Sequence, residues 1–409
     1  MITYCREALT LCHPGHLHRS SALNNLANVV LTSYEQSGRM EDLDEAIKYH
    51  REALSLSPTS HRDHSSSLNN LAIALFTRYK QSDSMADLEE AITYHREALT
   101  LCPIGHPYRS SFLNSLANAL FTRYKQSDSM VDLEEAIICH REALTLCPIG
   151  HPDRSSSLNN LAIAVFTRYK RLGNMADLGE AITYHREALI LYPPHHQDRL
   201  MSLSSLANAV LTRYSLLGSM EDLEEVITYN REALSLCLPD RPLRSSSFNN
   251  LASAVFTCYE RSGRIEDLEE VITCHCKALA LCPPGHPDHS MTLNSLAHVV
   301  LAHHEQLGSM EDLKEVIYHC KALTFCPTGH PNYSTFLDNL ANAILSYYQH
   351  SGKMKDSEEA IALHPIGHPD HSMPVLDINK DVVCVATLAN LPEQGKYLIC
   401  QLDVAWETE

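Results

Sequence analysis

Residues 68–107 read LNNLAIALFTRYKQSDSMADLEEAITYHREALTLCPIGHP, and close variants of this stretch recur along the chain. The block Leu-Asn-Asn-Leu-Ala, with small changes, is repeated at intervals of 45 residues six times and then of 44. Its copies start at Leu23, Leu68, Leu113, Leu158, Leu203, Phe248, Leu293 and Leu337. A fixed period of this size is typical of an array of stacked repeats, in which each unit packs mainly on its neighbours.

Each unit is predicted to fold as two helices. In the first, apolar residues lie at offsets 0, 3, 4, 7 and 11 from Leu68, which places them on one side of an α-helix. The second helix is predicted over residues 85–101, because Cys102-Pro103 follows and proline ends the hydrogen-bond ladder. At the start of this helix, Ser84 and Asp87 have the spacing of a capping box.

Composition and charge exclude several classes of partner. The chain has 409 residues, with 32 Lys and Arg against 50 Asp and Glu, a formal net charge of −18. Because nucleic acids and anionic membranes need a concentrated positive surface, neither is expected as a partner. No window approaches 18 consecutive apolar residues, and the first nine residues align with the second-helix segment 91–99. Neither a membrane-spanning helix nor a signal peptide is therefore predicted.

Motifs for catalysis or cofactor binding are not found: there is no Gly-rich phosphate loop, no Gly-x-Ser-x-Gly elbow and no His-Glu-x-x-His. We predict that the protein is not an enzyme and has no cofactor. The 25 His residues recur at repeated positions, which favours a structural role over a metal site. Equivalent Cys residues of stacked helices lie roughly 10 Å apart, too far for a disulfide. Buried free thiols predict a reducing, cytoplasmic compartment.

The second helix carries the pattern that relates the chain to a known family. Ala91, His95, Ala98 and Pro103 lie at offsets 0, 4, 7 and 12. With the Leu-x-x-Leu-Ala pattern of the first helix, they resemble the tetratricopeptide repeat (TPR) family. The string His-Pro-x-x-x-x-x-Leu-Asn-x-Leu-Ala at residues 151–162 resembles the kinesin light chain variety. It is also similar to the TPR arrays of mushroom-forming fungi, which often precede a caspase-like CHAT domain.

The resemblance implies an all-α fold, an α-solenoid with a right-handed superhelix of about eight two-helix repeats. It covers residues 1–372, with a first unit that starts mid-repeat and a truncated last unit, and leaves 373–409 as a non-repeat tail. Because a standard TPR has roughly 34 residues, the extra residues are expected in a longer first helix or its turn and in the connector. The irregular ends suggest a fragment, a degenerate copy or an imperfect gene model.

A second stripe on the first helix is the candidate binding site. At about 100° per residue from Leu68, Asn69, Ile73, Phe76 and Lys80 lie at roughly 80° to 140°, beside the apolar stripe. In TPR proteins the equivalent stripe lines the concave groove, so the resemblance implies that this ladder faces a ligand. The candidate residues are Asn24, Asn69, Asn114, Asn159, Asn249 and Asn294 in a first column, Asn28, Asn118 and Asn208 in a second, and Phe76, Phe121 and Phe166 in a third.

These side chains suit an extended peptide. An Asn amide both donates and accepts, so it can pair with a peptide backbone, and Phe rings can form apolar pockets. Two alternatives stay open: the Asn residues bond neighbouring helices, and the Phe residues pack between units. The columns headed by Arg19 and Arg78 also fit a peptide carboxylate, but the acidic composition favours pairing between repeats. The column headed by Arg51 has no acidic residue three or four positions before it, so any partner must come from another helix.

The function predicted is a non-enzymatic scaffold that binds a protein or extended peptide, without a cofactor, metal, nucleic acid or membrane. One alternative is the sensor arm of a larger caspase-like (CHAT) protease or signalling protein. Another is a drifting repeat array that has kept no ligand, consistent with near-identical copies such as residues 78–85 and 123–130.

Overall fold

The computed structural model describes residues 1–308, apart from residues 14, 17, 58–62, 194–195, 239–242, 283–285 and 287. Within these residues there are fourteen α-helices and no strand. They are α1 (Ile2–Leu11), α2 (Arg19–Ser37), α3 (Met40–Leu56), α4 (His64–Ser82), α5 (Met85–Thr100), α6 (Arg109–Ser127), α7 (Met130–Leu146), α8 (Arg154–Leu172), α9 (Met175–Leu191), α10 (Gln197–Leu217), α11 (Met220–Leu236), α12 (Leu243–Ser262), α13 (Ile265–Leu281) and α14 (His289–Leu307). The predicted eighth repeat and the tail 373–409 lie outside the described residues.

The chain divides into two compact units, Met1–Leu216 and Leu217–Glu409. In the first unit, α2 pairs with α3, α4 with α5, α6 with α7 and α8 with α9. Each second helix then contacts the next first helix, as α3 contacts α4, and successive first helices α2, α4, α6 and α8 also touch. In the second unit, α12 pairs with α13, and α11 and α14 flank this pair. The all-α stacking of two-helix repeats predicted from the period is confirmed.

The apolar stripe of the first helix is buried as predicted. On α4, Leu68, Leu71, Ala72, Leu75 and Tyr79 are at most 3% exposed. The core is shared between neighbours, since one apolar cluster joins residues of α2 and α3 to residues of α4 and α5, and the next joins α4 and α5 to α6 and α7. A single helical pair therefore cannot bury its own apolar face, which is the physical basis of repeat stacking.

The capping box predicted at the second helix is wrong. Ser84 is the N-cap residue of α5, but its side chain makes no capping hydrogen bond. The carboxylate of Asp87, which the box would turn back to the N-cap, instead accepts two hydrogen bonds from Arg78, at 2.8 and 2.7 Å. Asn174 does cap α9, because its Oδ1 accepts from the backbone N–H of Ala176 at 3.0 Å.

A two-residue turn joins the helices of each pair, as between α4 and α5 at residues 83–84. The seven extra residues predicted for the first helix or its turn therefore lie in the helix, which spans 19 residues in α4. The residue that follows each first helix is left-handed in the backbone: Asp83 (φ 51°) and Asp128 (φ 58°) occupy this position in two repeats, and the others have Gly38, Gly173, Gly218, Gly263 and Gly308.

Asp83→Gly is expected to stabilise the protein by about 0.5–1 kcal/mol. A left-handed backbone costs a residue with a Cβ atom roughly 1–2 kcal/mol, which exceeds the entropy that glycine loses on folding. Urea denaturation followed by circular dichroism measures the change. Ser84→Gly is the matched control, because Ser84 has an ordinary φ of −70° and should lose stability. Equal effects of the two substitutions would show that the turn conformation is not the cause.

Candidate ligand-binding face

One side of each first helix remains open to solvent. On α4, Asn70, Ile73, Phe76 and Thr77 are partly exposed and Lys80 is exposed, whereas most other residues of this helix are buried. Since α2, α4, α6 and α8 touch in succession, the equivalent residues form a continuous surface. We call the surface formed by these positions on α2, α4, α6 and α8 the first-helix face. It lies entirely within the first unit.

The first Asn column is bonded inside the protein. Each Asn Oδ1 lies 2.9 to 3.1 Å from a histidine Nδ1 on the second helix of the same repeat. The pairs are Asn24–His50, Asn69–His95, Asn114–His140, Asn159–His185 and Asn249–His275. Because Oδ1 only accepts, the Nδ1 atom of each histidine is the donor, and Nε2 is left without a proton.

The same Asn residues also reach the next repeat. The Nδ2 atom of Asn114 donates to Ser157 Oγ on α8 at 2.7 Å, and Ser202 Oγ on α10 donates to Asn159 Oδ1 at 2.8 Å. Asn69 is 3% exposed and Asn159 8%, while Asn24, Asn114, Asn249 and Asn294 are partly buried. The column therefore joins two helices of one repeat to the following repeat.

The histidines of these pairs are buried and electrically neutral. Desolvation lowers the pKa of His50, His95, His140, His185 and His275 from 6.5 to about 4. The Nε2 atoms of His50, His95 and His185 have no hydrogen-bond partner. A proton on Nε2 would therefore place a positive charge in a site that offers it no acceptor.

The pairing has a signal in the sequence that reasoning about helix faces missed. In the first six repeats the Asn position precedes the His position by 26 residues, and in the seventh Asn294 precedes His319 by 25. Where the fifth repeat has Ser204 in place of Asn, it also has Asn230 in place of His. Two positions that change together indicate that their side chains are matched to each other.

The second Asn column faces solvent. Asn28 and Asn208 are exposed and Asn118 is partly exposed. Their backbone carbonyls accept from the Thr hydroxyl one turn later, as Thr122 Oγ1 does to Asn118 at 2.8 Å. Within the described part of the chain, their side-chain amides make no hydrogen bond. Both groups of each amide are thus available to a ligand.

The Phe column supports a row of lysines. Phe76 and Phe121 are partly buried and Phe166 is 8% exposed, so little ring surface is left open. Each ring stacks on the Tyr three residues later at 6.0 to 6.2 Å between centroids. On the outer side, the ammonium groups lie 4.5 to 4.8 Å from the ring centroids in the pairs Lys80–Phe76, Lys125–Phe121 and Lys170–Phe166.

The arginine columns are paired between repeats, as the acidic composition favours. Arg123 binds Asp132 of its own repeat through two hydrogen bonds and Glu89 of the preceding repeat at 2.7 Å. Arg96 binds Glu135 of the next repeat, and Arg51, Arg141 and Arg231 bind equivalent glutamates. Arg109 binds Glu142 and donates to the Cys102 carbonyl at 2.6 Å. These guanidinium groups hold repeats together.

The comparisons with known proteins identify the repeat. The family model of the tetratricopeptide repeat matches residues 64–108, 110–153 and 244–288, each spanning one pair of helices. The chain contains tetratricopeptide repeats. The resemblance inferred from the Ala91 to Pro103 pattern is confirmed, while the link to a caspase-like CHAT domain stays a prediction. Among curated proteins, none has a matching sequence.

Three solved structures of TPR proteins superpose on parts of the chain. The C-terminal part of a TPR repeat-containing protein from Cytophaga hutchinsonii is 13% identical, with 77% of this chain and 99% of that chain covered, at a TM-score of 0.49. A Podospora anserina putative kinesin light chain with nearly identical TPR-like repeats is 22% identical, with 53% and 95% covered, at 0.35. YrrB, a TPR protein with an unusual peptide-binding site, is 13% identical, with 56% and 96% covered, at 0.38.

The remaining His and Cys residues of the TPR array have structural surroundings. In the Gly-His-Pro turns, the Nδ1 atom of His106 accepts from the N–H of Tyr108 at 3.3 Å, and His151 is bonded in the same way. The described cysteines are free, and burial raises the pKa of the Cys139 and Cys274 thiols to about 11. In the described part of the array, no three His, Cys, Asp or Glu side chains are grouped to hold a metal, and no helix could span a membrane.

Asn69→Ala is expected to cost about 2 kcal/mol of unfolding free energy, because it leaves the Nδ1–H group of His95 buried without an acceptor. Asn118→Ala, a partly exposed Asn on the next first helix, is its matched control and should change stability by less than about 0.5 kcal/mol. Urea denaturation of both variants measures the difference. If Asn118→Ala were as destabilising as Asn69→Ala, the two columns would not have the separate roles assigned to them here.

Proposed function

We propose that this TPR array is a non-enzymatic scaffold that binds an extended peptide segment of another protein along the first-helix face and the adjoining α10. The observation that supports this most is the second Asn column. Asn28, Asn118 and Asn208 present amides to solvent with no partner in the described part of the chain. A peptide backbone supplies the acceptors and donors that such amides require.

The first-column Asn residues have a supporting role in this proposal. They fix the spacing of successive first helices through their bonds to histidine and to the next repeat, as Asn114 does with His140 and Ser157. Their amides are used within the protein, so they position the ligand-facing residues and do not touch the ligand. The Phe residues likewise act through the lysines that lie on them.

The setting and extent of the scaffold are also proposals. Buried free thiols suit a reducing, cytoplasmic compartment, and we place the protein there. The repeat domain is proposed to extend over residues 1–372, with 373–409 as a separate tail. A role as the sensor arm of a larger caspase-like (CHAT) protease or signalling protein stays a prediction.

Peptide selection tests the function. The full chain is immobilised and panned with a displayed library of random dodecapeptides, and enriched peptides are resynthesised for binding assays. We expect 1:1 binding that weakens at least tenfold in the triple variant Asn28→Ala, Asn118→Ala, Asn208→Ala. The matched control is Thr93→Ala with Thr183→Ala, which changes exposed side chains on second helices and should leave affinity within twofold.

Two results would overturn this proposal. One is that no peptide is enriched above the level found with an unrelated immobilised protein. The other is that the triple Asn variant binds the selected peptides as tightly as the unaltered chain. Substituting Asn69, Asn114 and Asn159 is a poorer test, because their loss disturbs the packing of the repeats themselves.

A further inference from the structure

Charge is segregated between the two layers of helices in the central repeats. The first helices α4, α6 and α8 contain two, three and four Lys or Arg residues and no Asp or Glu. The second helices α5, α7 and α9 contain three or four Asp or Glu residues and one Arg each. In a chain with a net charge of −18, this separation concentrates the positive charge of the central repeats on one layer.

The arginines of that layer are neutralised, and the lysines are not. Arg78, Arg123 and Arg168 each bind two carboxylates, and Arg171 pairs with Asp128. Lys80, Lys125 and Lys170 are exposed and form no ion pair within the described residues. Each instead lies over the Phe four residues earlier at 4.5 to 4.8 Å. This cation–π contact holds the ammonium group in place while leaving its other side open.

We propose that Lys80, Lys125 and Lys170 form a ladder that docks an acidic protein segment in the polyproline II conformation, with a carboxylate at every third residue. The proposal rests on the proposed function, peptide binding by the first-helix face, and names the ligand class. The spacing follows from geometry. Packed helices lie about 8–10 Å apart, and three residues of polyproline II advance about 9.3 Å.

The polyproline II conformation of the ligand follows from the same three-residue spacing of its carboxylates. In a β-strand, residues three apart point to opposite faces, so only alternate carboxylates would meet the ladder. Polyproline II has three residues per turn, and side chains three apart share one face. Its backbone has no internal hydrogen bonds, so its N–H and C=O groups remain free to pair with the Asn118 amide between Lys80 and Lys170 in the array.

The ladder is bounded at both ends. The position of Lys80 is occupied by Glu35 in the preceding repeat and by Ser215 in the repeat after Lys170. A fourth carboxylate facing Glu35 would be repelled, so the ladder matches three acidic residues in a row. Glu35 is exposed on α2, which allows the ladder to be extended experimentally by one position.

Peptide binding to the full chain tests the proposal. The probe is a fluorescein-labelled peptide with Glu at every third position and Pro and Ala between, three Glu in all. The comparison peptide has the same composition with Glu at every second position. We expect the first to bind at least tenfold more tightly, and Lys80→Gln with Lys125→Gln and Lys170→Gln to remove that difference. Lys48→Gln with Lys277→Gln, both exposed outside the ladder, should preserve it.

A variant that is expected to gain affinity provides an independent test of the ladder. Glu35→Lys should raise the affinity for a four-Glu peptide of the same period at least fivefold and leave the three-Glu peptide within twofold. Equal binding of the two spacings, or no gain with Glu35→Lys, would overturn the ladder. So would a single-stranded oligonucleotide of equal charge that binds as tightly as the peptide, or a dimer that the triple Lys variant dissociates.

The two proposals fail in different ways. If library-selected peptides still bind the triple Lys variant but not the triple Asn variant, the peptide-binding function stands and the acidic ladder is wrong. If neither variant changes the binding of any peptide, both proposals are wrong.

Discussion

Acidification from pH 7.5 to 4.5 is expected to unfold the array cooperatively, starting before most carboxylates titrate. The cause is the column of buried histidines, of which His50, His95 and His185 have an Nε2 atom without a partner. Burial lowers the pKa of each histidine in the column from 6.5 to about 4. Between these two pH values the histidines of the folded state therefore stay neutral, whereas those of the unfolded chain become protonated.

The sign and the pH window follow from that shift. The stability contributed by neutral burial is fully present above about pH 6.5, and it is lost as pH falls toward 4, where the folded state also becomes protonated. A depression from 6.5 to about 4 corresponds to about 3 kcal/mol for one histidine. Five such groups together amount to about 15 kcal/mol, the upper end of the 5–15 kcal/mol that usually stabilises a folded domain. Loss of only part of this contribution is therefore expected to unfold the chain.

The chain contains its own template for an acid-resistant repeat. The fifth repeat has Ser204 and Asn230 where the others have Asn and His. Copying this pair into repeats two to four means His95→Asn with Asn69→Ser, and the equivalent changes at Asn114–His140 and Asn159–His185. Helicity followed by circular dichroism should then persist to lower pH.

The window between pH 6.5 and 5 is diagnostic, because free Asp and Glu titrate mainly below it. A matched control is His106→Asn with His151→Asn, which alters partly exposed histidines in the inter-repeat turns and should leave the midpoint in place. Two results would contradict the role given to the buried histidines. One is a wild-type chain that stays folded at pH 4.5, and the other is an unfolding midpoint that the combined His→Asn and Asn→Ser substitutions leave unchanged.

The fold could be predicted from the sequence because its information is local and repeated. The offsets of Leu68, Leu71, Leu75 and Tyr79 define one buried side of one helix, and seven further copies of the block remove the ambiguity of a single short pattern. These residues are buried against an adjacent repeat with the same pattern. The apolar period therefore carries both the helix assignment and the stacking.

The candidate site was less predictable, for a geometric reason. Asn69 at about 100° from Leu68 and Ile73 at about 140° share one stripe of an isolated helix. In the array, the flank nearer the core is closed by its own second helix and by the next first helix, which supply His95 to Asn69 and Ser157 to Asn114. The rotation angle of a residue describes its place on one helix. It does not tell which part of that helix the neighbouring helices cover.

Arg123→Ser is expected to destabilise the protein by about 3 kcal/mol. Asp132 is 5% exposed and receives hydrogen bonds of 2.8 and 2.6 Å from Arg123. Removing one partner of a buried ion pair leaves an uncompensated charge, which costs roughly 3–5 kcal/mol. The introduced Ser hydroxyl can still donate to the carboxylate, so the lower end of that range is expected. The change also releases Glu89 and with it one link between repeats.

Two other repeats show how the loss can be repaired. The first repeat has Ser33 at the position of Arg123, and its Asp42 accepts from Arg39 Nη2 at 3.0 Å. The sixth has Cys258 there, and Asp267 accepts from Arg264 Nε at 3.3 Å. Arg39 and Arg264 occupy the position six residues later, where repeats with the original arginine have Ser or Asn, as at Ser84 and Asn174. In the first four repeats and the sixth, the acid thus has a guanidinium partner from one of two places.

Adding Ser129→Arg to Arg123→Ser should therefore recover at least half of the lost free energy of unfolding. Recovery is expected to be incomplete, because the side chains of Asp42 and Asp267 are 14% and 13% exposed against 7% for Asp132. Ser129→Met with Arg123→Ser is the matched control: it has a long side chain without charge and should recover nothing. Equal recovery by Met and Arg, measured by urea denaturation, would mean that packing and not charge restores the repeat. Recovery by Arg alone would establish that two arginine positions, six residues apart, are interchangeable partners for one buried carboxylate.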